Sequence, residues 1–71
     1  MLITLYSADG CHLCELAQQT LLQLGVEYQL VDIALDEQLV EQYGVRIPVL
    51  AFDGKELGWP FDSQAVSKFL E

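Results

Sequence analysis

Two cysteines separated by two residues constrain the fold and chemistry of this chain more than any other feature. Cys11 and Cys14 follow an apolar run from Leu2 to Tyr6, typical of a strand buried on both faces, and a turn-forming segment from Ser7 to Gly10. The spacing of later apolar residues predicts that a helix begins at the cysteine pair. The N-terminus of a helix has free N–H groups and a partial positive charge, and both favour a thiolate over a thiol. We therefore predict that Cys11 is a nucleophile of lowered pKa and that the less exposed Cys14 resolves its mixed disulfides.

Other interpretations of the cysteine pair stay open. The two side chains could be small core residues, or they could bind metal. A structural zinc site needs four ligands, and one chain offers only Cys11, Cys14 and His12, so zinc or an iron–sulfur cluster would have to be shared between two chains. His12 is either a partly protonated neighbour that stabilises the Cys11 thiolate or a solvated side chain. Asp9 and Glu15 would raise the thiol pKa, which leaves the net direction of the shift open.

The rest of the pattern predicts an α/β fold with elements in the order β-α-β-α-β-β-α. Helices are expected over 13–24, over 36–43 with an apolar stripe of Leu35, Leu39, Val40 and Tyr43, and from Asp62 or Ser63 onward with Val66, Phe69 and Leu70 inward. Later strands are expected over 26–33, 48–52 and 55–58, the last two joined by an Asp53-Gly54 turn. A parallel βαβ unit followed by a hairpin predicts a mixed sheet with helices on both faces, in one domain spanning residues 1–71.

The charge balance excludes two classes of partner. The chain has 3 Lys+Arg against 11 Asp+Glu, a formal net charge of −8. Binding to nucleic acid or to an anionic membrane requires basic residues that are scarce here, so we expect neither. The N-terminus lacks a basic flank and a long apolar run, so we expect a cytoplasmic protein. We also expect a monomer. The cytosol keeps a lone cysteine pair reduced, which favours a catalytic, sensing or metal-binding role over a structural one.

Over nearly its whole length the chain resembles the glutaredoxins of the thioredoxin-like superfamily. The segment Leu5-Tyr6-Ser7-Ala8-Asp9-Gly10-Cys11-His12-Leu13-Cys14 is similar to the family's strand, loop and Cys-Pro-Tyr-Cys motif, and the segment from Arg46 to Gly54 resembles its Thr-Val-Pro strand and turn. The resemblance implies a three-layer α/β/α fold with a four-stranded mixed sheet in the order 4-3-1-2. It also implies that Pro48 is cis and that the backbone of Ile47 pairs with the substrate cysteine. Arg46 could meet a ligand carboxylate there or lie in solvent.

The chain departs from the glutaredoxin pattern where that family binds glutathione. The family's Gly-Gly before the last helix is Gly58-Trp59 here, and its paired acidic positions read Phe61-Asp62. Gly58, Trp59 and Asp62 are thus the candidate glutathione contacts, although Trp59 would fill space that a second glycine leaves open and could instead pack beneath the last helix. These features are more similar to a small bacterial-type branch of glutaredoxin-like proteins.

The resemblance and the cysteine pair together imply a thiol–disulfide oxidoreductase with no bound cofactor. Its expected substrates are a protein disulfide or a glutathione mixed disulfide, and glutathione or a reductase would restore the dithiol. The alternative is a metal-binding, iron–sulfur-cluster-binding or redox-silent interaction module on the same fold.

Overall fold

The computed structural model describes residues 3–71, which form an α/β fold of three helices and four strands. In chain order these are β1 (Thr4–Ser7), α1 (His12–Leu24), β2 (Gln29–Asp32), a 3-10 turn (Ile33–Leu35), α2 (Glu37–Tyr43), β3 (Val49–Phe52), β4 (Lys55–Gly58) and α3 (Ser63–Phe69). The order of elements is the one that the sequence pattern predicts.

The four strands form one mixed sheet in the order β2-β1-β3-β4. Strand β1 runs parallel to β2 and antiparallel to β3, and β3 runs antiparallel to β4. This is the predicted order 4-3-1-2 read from the other edge. Because Tyr6 pairs with Val49 in the antiparallel register, Pro48 lies next to the end of β1, where the cysteine loop begins.

Two apolar clusters cover the two faces of the sheet. Helices α1 and α3 pack on one face around Leu5 and Leu50, both fully buried and directly opposite each other in the register. On the other face, Tyr43 at the end of α2 packs with Ile33 and Val49. Each fully buried leucine contributes about 1.5–3 kcal/mol relative to an exposed one, and a chain of 71 residues depends on a few such side chains.

Local chain chemistry accounts for the ends of these elements. Gly25 stops α1 in the left-handed region with φ 70°, which a residue with a Cβ rarely adopts. Asp36 and Asp62 accept hydrogen bonds from the backbone N–H groups at the starts of α2 and α3. Asp53 and Gly54 both have positive φ values, 53° and 76°, as the tight hairpin between β3 and β4 requires.

The structure corrects three details of the sequence-based expectation. Strand β2 covers Gln29–Asp32 and not 26–33; it ends at Asp32 because that carboxylate accepts from the Ala34 N–H and starts a 3-10 turn. Leu35 and Val40 are not part of a buried stripe: they are 85% and 45% exposed. Ser7, expected in the turn, ends β1, and Leu2 lies outside the described residues. No helix within residues 3–71 is long and apolar enough to cross a membrane.

Candidate functional site

The two cysteines form a disulfide at the first turn of α1. Cys11 is the N-cap residue, in extended backbone conformation, and the Cys14 N–H donates to Cys11 Sγ over 3.1 Å. Cys11 is partly exposed, whereas Cys14 is 1% exposed. One sulfur of the pair can therefore be reached by a substrate from outside, and the other lies one turn deeper in the helix.

The Ile47–Pro48 segment lies at the end of β1 from which the cysteine loop departs. Its peptide bond is cis, as is that of Trp59–Pro60. Pro48 is buried beside the end of β1, and its carbonyl accepts from the Trp59 N–H over 3.1 Å. Ile47 packs against the same apolar cluster as Ala8, which belongs to the loop leading to Cys11. The fold thus brings the two sequence-predicted segments, about 35 residues apart in the chain, to one end of the sheet.

An open cavity of about 290 Å³ lies beside the disulfide, between the start of α1 and the end of β2. Its lining residues are Ser7, Ala8, Asp9, Gly10, Cys11, Cys14, Glu15, Gln18, Leu30 and Asp32. Sequence reasoning considered Asp9 and Glu15 only as neighbours of the thiol. It missed Ser7 and Asp32, which come from two strands that pair in register, and a parallel β1–β2 pairing is the signal that could have found them.

Arg46 lies in a polar network and not in this cavity. Its guanidinium forms an ion pair of 2.9 Å with Glu56 and lies 5.3 Å from the centre of the Tyr43 ring. The Tyr43 hydroxyl donates to Glu56, and the Tyr43 ring stacks on Tyr6 with 4.3 Å between ring centres. The hydrogen bond to the Glu56 carboxylate, followed by burial, raises the pKa of Tyr43 well above its usual range. The Tyr43 hydroxyl and then Arg46 lower the pKa of Glu56.

The other sequence-predicted site residues have the following positions. His12 is exposed at the first position of α1 and is not among the residues that line the cavity. Gly58 ends β4, opposite Val49. Trp59 packs against the α1–α3 core, edge-on to the ring of Phe61. The Asp62 carboxylate accepts from the Ala65 N–H over 2.8 Å, so it caps α3.

Metal ligands do not converge on this site. Within residues 3–71 no group of three or more His, Cys, Asp or Glu side chains is arranged to hold a metal ion. The cysteine pair itself is present as a disulfide, with 5.2 Å between its Cα atoms. A cysteine pair that forms such a disulfide has the spacing that thiol–disulfide exchange requires.

Comparisons with known proteins agree with this geometry. Residues 2–71 match the family model described as Glutaredoxin-like domain (DUF836). The crystal structure of protein XcR50 from X. campestris is 41% identical, with a TM-score of 0.90 over 96% of this chain and 93% of that one. Protein Ne2328 from Nitrosomonas europaea is 32% identical, with a TM-score of 0.71 over 96% of this chain and 88% of that one.

A more distant likeness concerns the fold alone. The glutaredoxin from Archaeoglobus fulgidus is 16% identical, with a TM-score of 0.73 over 96% of this chain and 84% of that one. A search of curated proteins found no match to the sequence. On the match over residues 2–71, this chain belongs to the glutaredoxin-like family.

Proposed function

We propose that this member of the glutaredoxin-like family is a thiol–disulfide oxidoreductase that acts through Cys11 and Cys14. The observation that carries the proposal is the unequal exposure of the two cysteines at one helix N-terminus, where Cys11 is partly exposed and Cys14 is buried. An accessible sulfur suits attack on a foreign disulfide, and a buried sulfur one turn away suits intramolecular release.

The exchange reaction needs two steps. In the reduced protein, the Cys11 thiolate attacks one sulfur of the substrate disulfide, forms a mixed disulfide and releases the first substrate thiolate. Cys14 then gives its proton to solvent and attacks Cys11 Sγ, which forms the Cys11–Cys14 disulfide and releases the second substrate thiolate. Both leaving thiolates take up protons from solvent, and the protein has passed two electrons to the substrate.

Local groups support each role. In the oxidised protein the Cys14 N–H donates to Cys11 Sγ, and the same donor would stabilise negative charge on that sulfur after reduction. The Ile47 backbone, next to the buried Pro48, would pair with the extended chain that carries the substrate cysteine. Glutathione or a reductase of the cytosol would return the protein to its dithiol form.

A trapping experiment tests the proposal. Cys14→Ser, reduced and mixed with glutathione disulfide or a protein disulfide, should accumulate a mixed disulfide on Cys11, because no second thiol remains to release it. The wild-type protein should instead lose the mass of two hydrogens in glutathione redox buffers with a defined midpoint. Cys11→Ser is the matched control, and it should form an adduct much more slowly than Cys14→Ser, if at all.

Two results would overturn the function. One is a Cys11→Ser variant that keeps full reductase activity. The other is a wild-type protein whose two thiols stay free and alkylate slowly across the whole range of redox buffers. A coloured or metal-containing dimer in fresh preparations would then point to the metal-binding alternative.

A further inference from the structure

We propose that the cavity beside the disulfide selects cationic disulfide substrates and disfavours glutathione disulfide, an inference that rests on the proposed function. The cavity opens directly on both cysteines, so a group attached to the substrate sulfur must enter or border it. The charge of that cavity therefore acts on the substrate while the Cys11 thiolate attacks its disulfide.

All charged residues that line the cavity are acidic, and no basic residue lines it to compensate their charge. Asp9, Glu15 and Asp32 line it, and no Lys, Arg or His is among its lining residues. Asp9 and Glu15 are exposed, and neither forms an ion pair within residues 3–71. Asp32 uses one oxygen to accept from the Ala34 N–H, and its second oxygen can accept from a ligand.

The basic side chains of the chain are engaged elsewhere. Arg46 pairs with Glu56 on the α2 face of the sheet. Lys55 lies in β4, where its ammonium group donates to the Phe69 carbonyl oxygen over 3.2 Å. Lys68 lies in the last turn of α3. None of them lines the cavity, so the carboxylates of a glutathione moiety would meet no fixed positive charge there.

A buried hydroxyl at the cavity gives a second polar contact. Ser7 is 5% exposed and lines the cavity. None of the side-chain hydrogen bonds in the described part of the chain uses its hydroxyl, and every fully buried side-chain polar atom there has a partner. The Ser7 oxygen therefore keeps some solvent contact, and a hydroxyl of a residue that lines the cavity can accept from an ammonium or guanidinium group there. Three carboxylates line the same cavity, and their charge favours a cation over an anion.

The test uses three small disulfides that differ in charge: cystamine, which is cationic; bis(2-hydroxyethyl) disulfide, which is neutral; and glutathione disulfide, which is anionic. Second-order rates of oxidation of the reduced protein are measured for the wild type and for Asp9→Asn/Glu15→Gln/Asp32→Asn. Asn at position 32 keeps the cap of the 3-10 turn. The ratio of variant to wild-type rate is compared for each disulfide, since this cancels the intrinsic reactivity of each leaving group.

The ratios should diverge with the sign of the substrate charge. We expect the triple variant to react about three- to tenfold more slowly with cystamine and faster with glutathione disulfide by a similar factor, as unit charges a few ångströms apart near water would produce. A changed acidity of Cys11 would multiply all three rates by one factor, so it cannot produce the divergence. Raising salt from about 0.01 M to about 1 M shortens the Debye length from about 30 Å to about 3 Å and should remove most of the wild-type preference.

Controls separate this inference from the proposed function. Glu27→Gln removes one negative charge beyond the far end of α1, as Glu15→Gln does at the cavity, and should leave the three rates close to wild type. The single variants Asp9→Asn and Glu15→Gln, at exposed positions, give partial effects of the same sign if the triple variant does not fold. Equal variant-to-wild-type ratios for all three disulfides would overturn the charge selection and leave the redox function standing. Failure of the wild type to react with any of them would overturn both.

Discussion

Tyr43→Phe should lower the free energy of unfolding although it removes only one oxygen. The Tyr43 side chain is 5% exposed, and its hydroxyl donates to the Glu56 carboxylate, which also binds Arg46. Phenylalanine keeps the ring that stacks on Tyr6, so the substitution removes only the hydrogen bonds of the hydroxyl, the one to Glu56 and a longer one of 3.3 Å from the Gln42 amide.

The expected magnitude follows from the surroundings of the two groups. Hydrogen bonds to charged groups contribute about 1.5–3 kcal/mol net. The Glu56 side chain is 35% exposed and keeps its ion pair, so water can replace part of the lost interaction. We therefore expect a loss of about 1 kcal/mol at pH 7, which corresponds to a fall in Tm of roughly 4–8 °C for a domain of this size.

The difference in the free energy of unfolding between the wild type and Tyr43→Phe should change with pH in a direction that the two pKa shifts determine. The pKa of Glu56 is lowered in the folded protein from its ordinary 4.5, so its contribution to stability is present above that value and disappears as the pH falls through the folded-state pKa. The difference between wild type and Tyr43→Phe should accordingly shrink below about pH 4. The pKa of Tyr43 is raised from its ordinary 10.0, so the wild type should also lose stability as the pH rises above 10.0, and the variant should not.

Urea unfolding of the oxidised proteins, followed by circular dichroism from about pH 3 to about pH 11, measures these differences. Tyr28→Phe is the matched control, because the Tyr28 hydroxyl donates over 3.2 Å to the neutral Gln18 side chain and its removal should cost less and show no such pH dependence. Equal losses for the two variants, or a Tyr43→Phe loss that stays constant down to pH 3, would refute the reasoning.

Three further predictions concern burial and capping. Alkylation of the reduced protein should modify Cys11 at least about tenfold faster than Cys14, which is 1% exposed, and mass spectrometry of limited reactions would detect equal rates if this is wrong. Leu21→Ala should lower the free energy of unfolding in urea by about 2–5 kcal/mol, and Leu22→Ala should change it by less than about 0.5 kcal/mol. The reason is that Leu21 is 0% exposed and Leu22 is 68% exposed. Similar losses for the two variants would contradict the core assignment. Asp62→Ala should cost about 0.5–2 kcal/mol and Asp62→Asn much less, since Asn also accepts from the Ala65 N–H; a loss shared by both would mean that charge and not capping matters.

Sequence reasoning was strongest where the signal is local. The turn at Asp53-Gly54 and the start of α3 at Asp62 and Ser63 each depend on a few neighbouring residues, and the structure confirms them. Reasoning by apolar spacing failed in α2, whose seven residues are too few for a complete stripe, so Val40 remains exposed. Periodicity states which residues share a face, but the packing of neighbouring elements decides whether that face is covered.

The candidate site was only partly accessible to such reasoning. The cysteine pair and Ile47-Pro48 carry their own sequence signatures, which is why they could be named in advance. The link between Tyr43 and Glu56 joins residues 13 positions apart on α2 and β4, and no pattern in either segment indicates it. Asp32 reaches the cavity only because β2 pairs with β1 in a particular register, a property of the folded sheet.

The sulfur proposed to react is also the acceptor that begins α1. In the oxidised protein Cys11 Sγ accepts a hydrogen bond from the Cys14 N–H in the first helical turn. Each change in the covalent bonding of that sulfur therefore alters this hydrogen bond. We therefore expect the rate at which the Cys14 amide proton exchanges with deuterium to differ between the oxidised and the reduced protein.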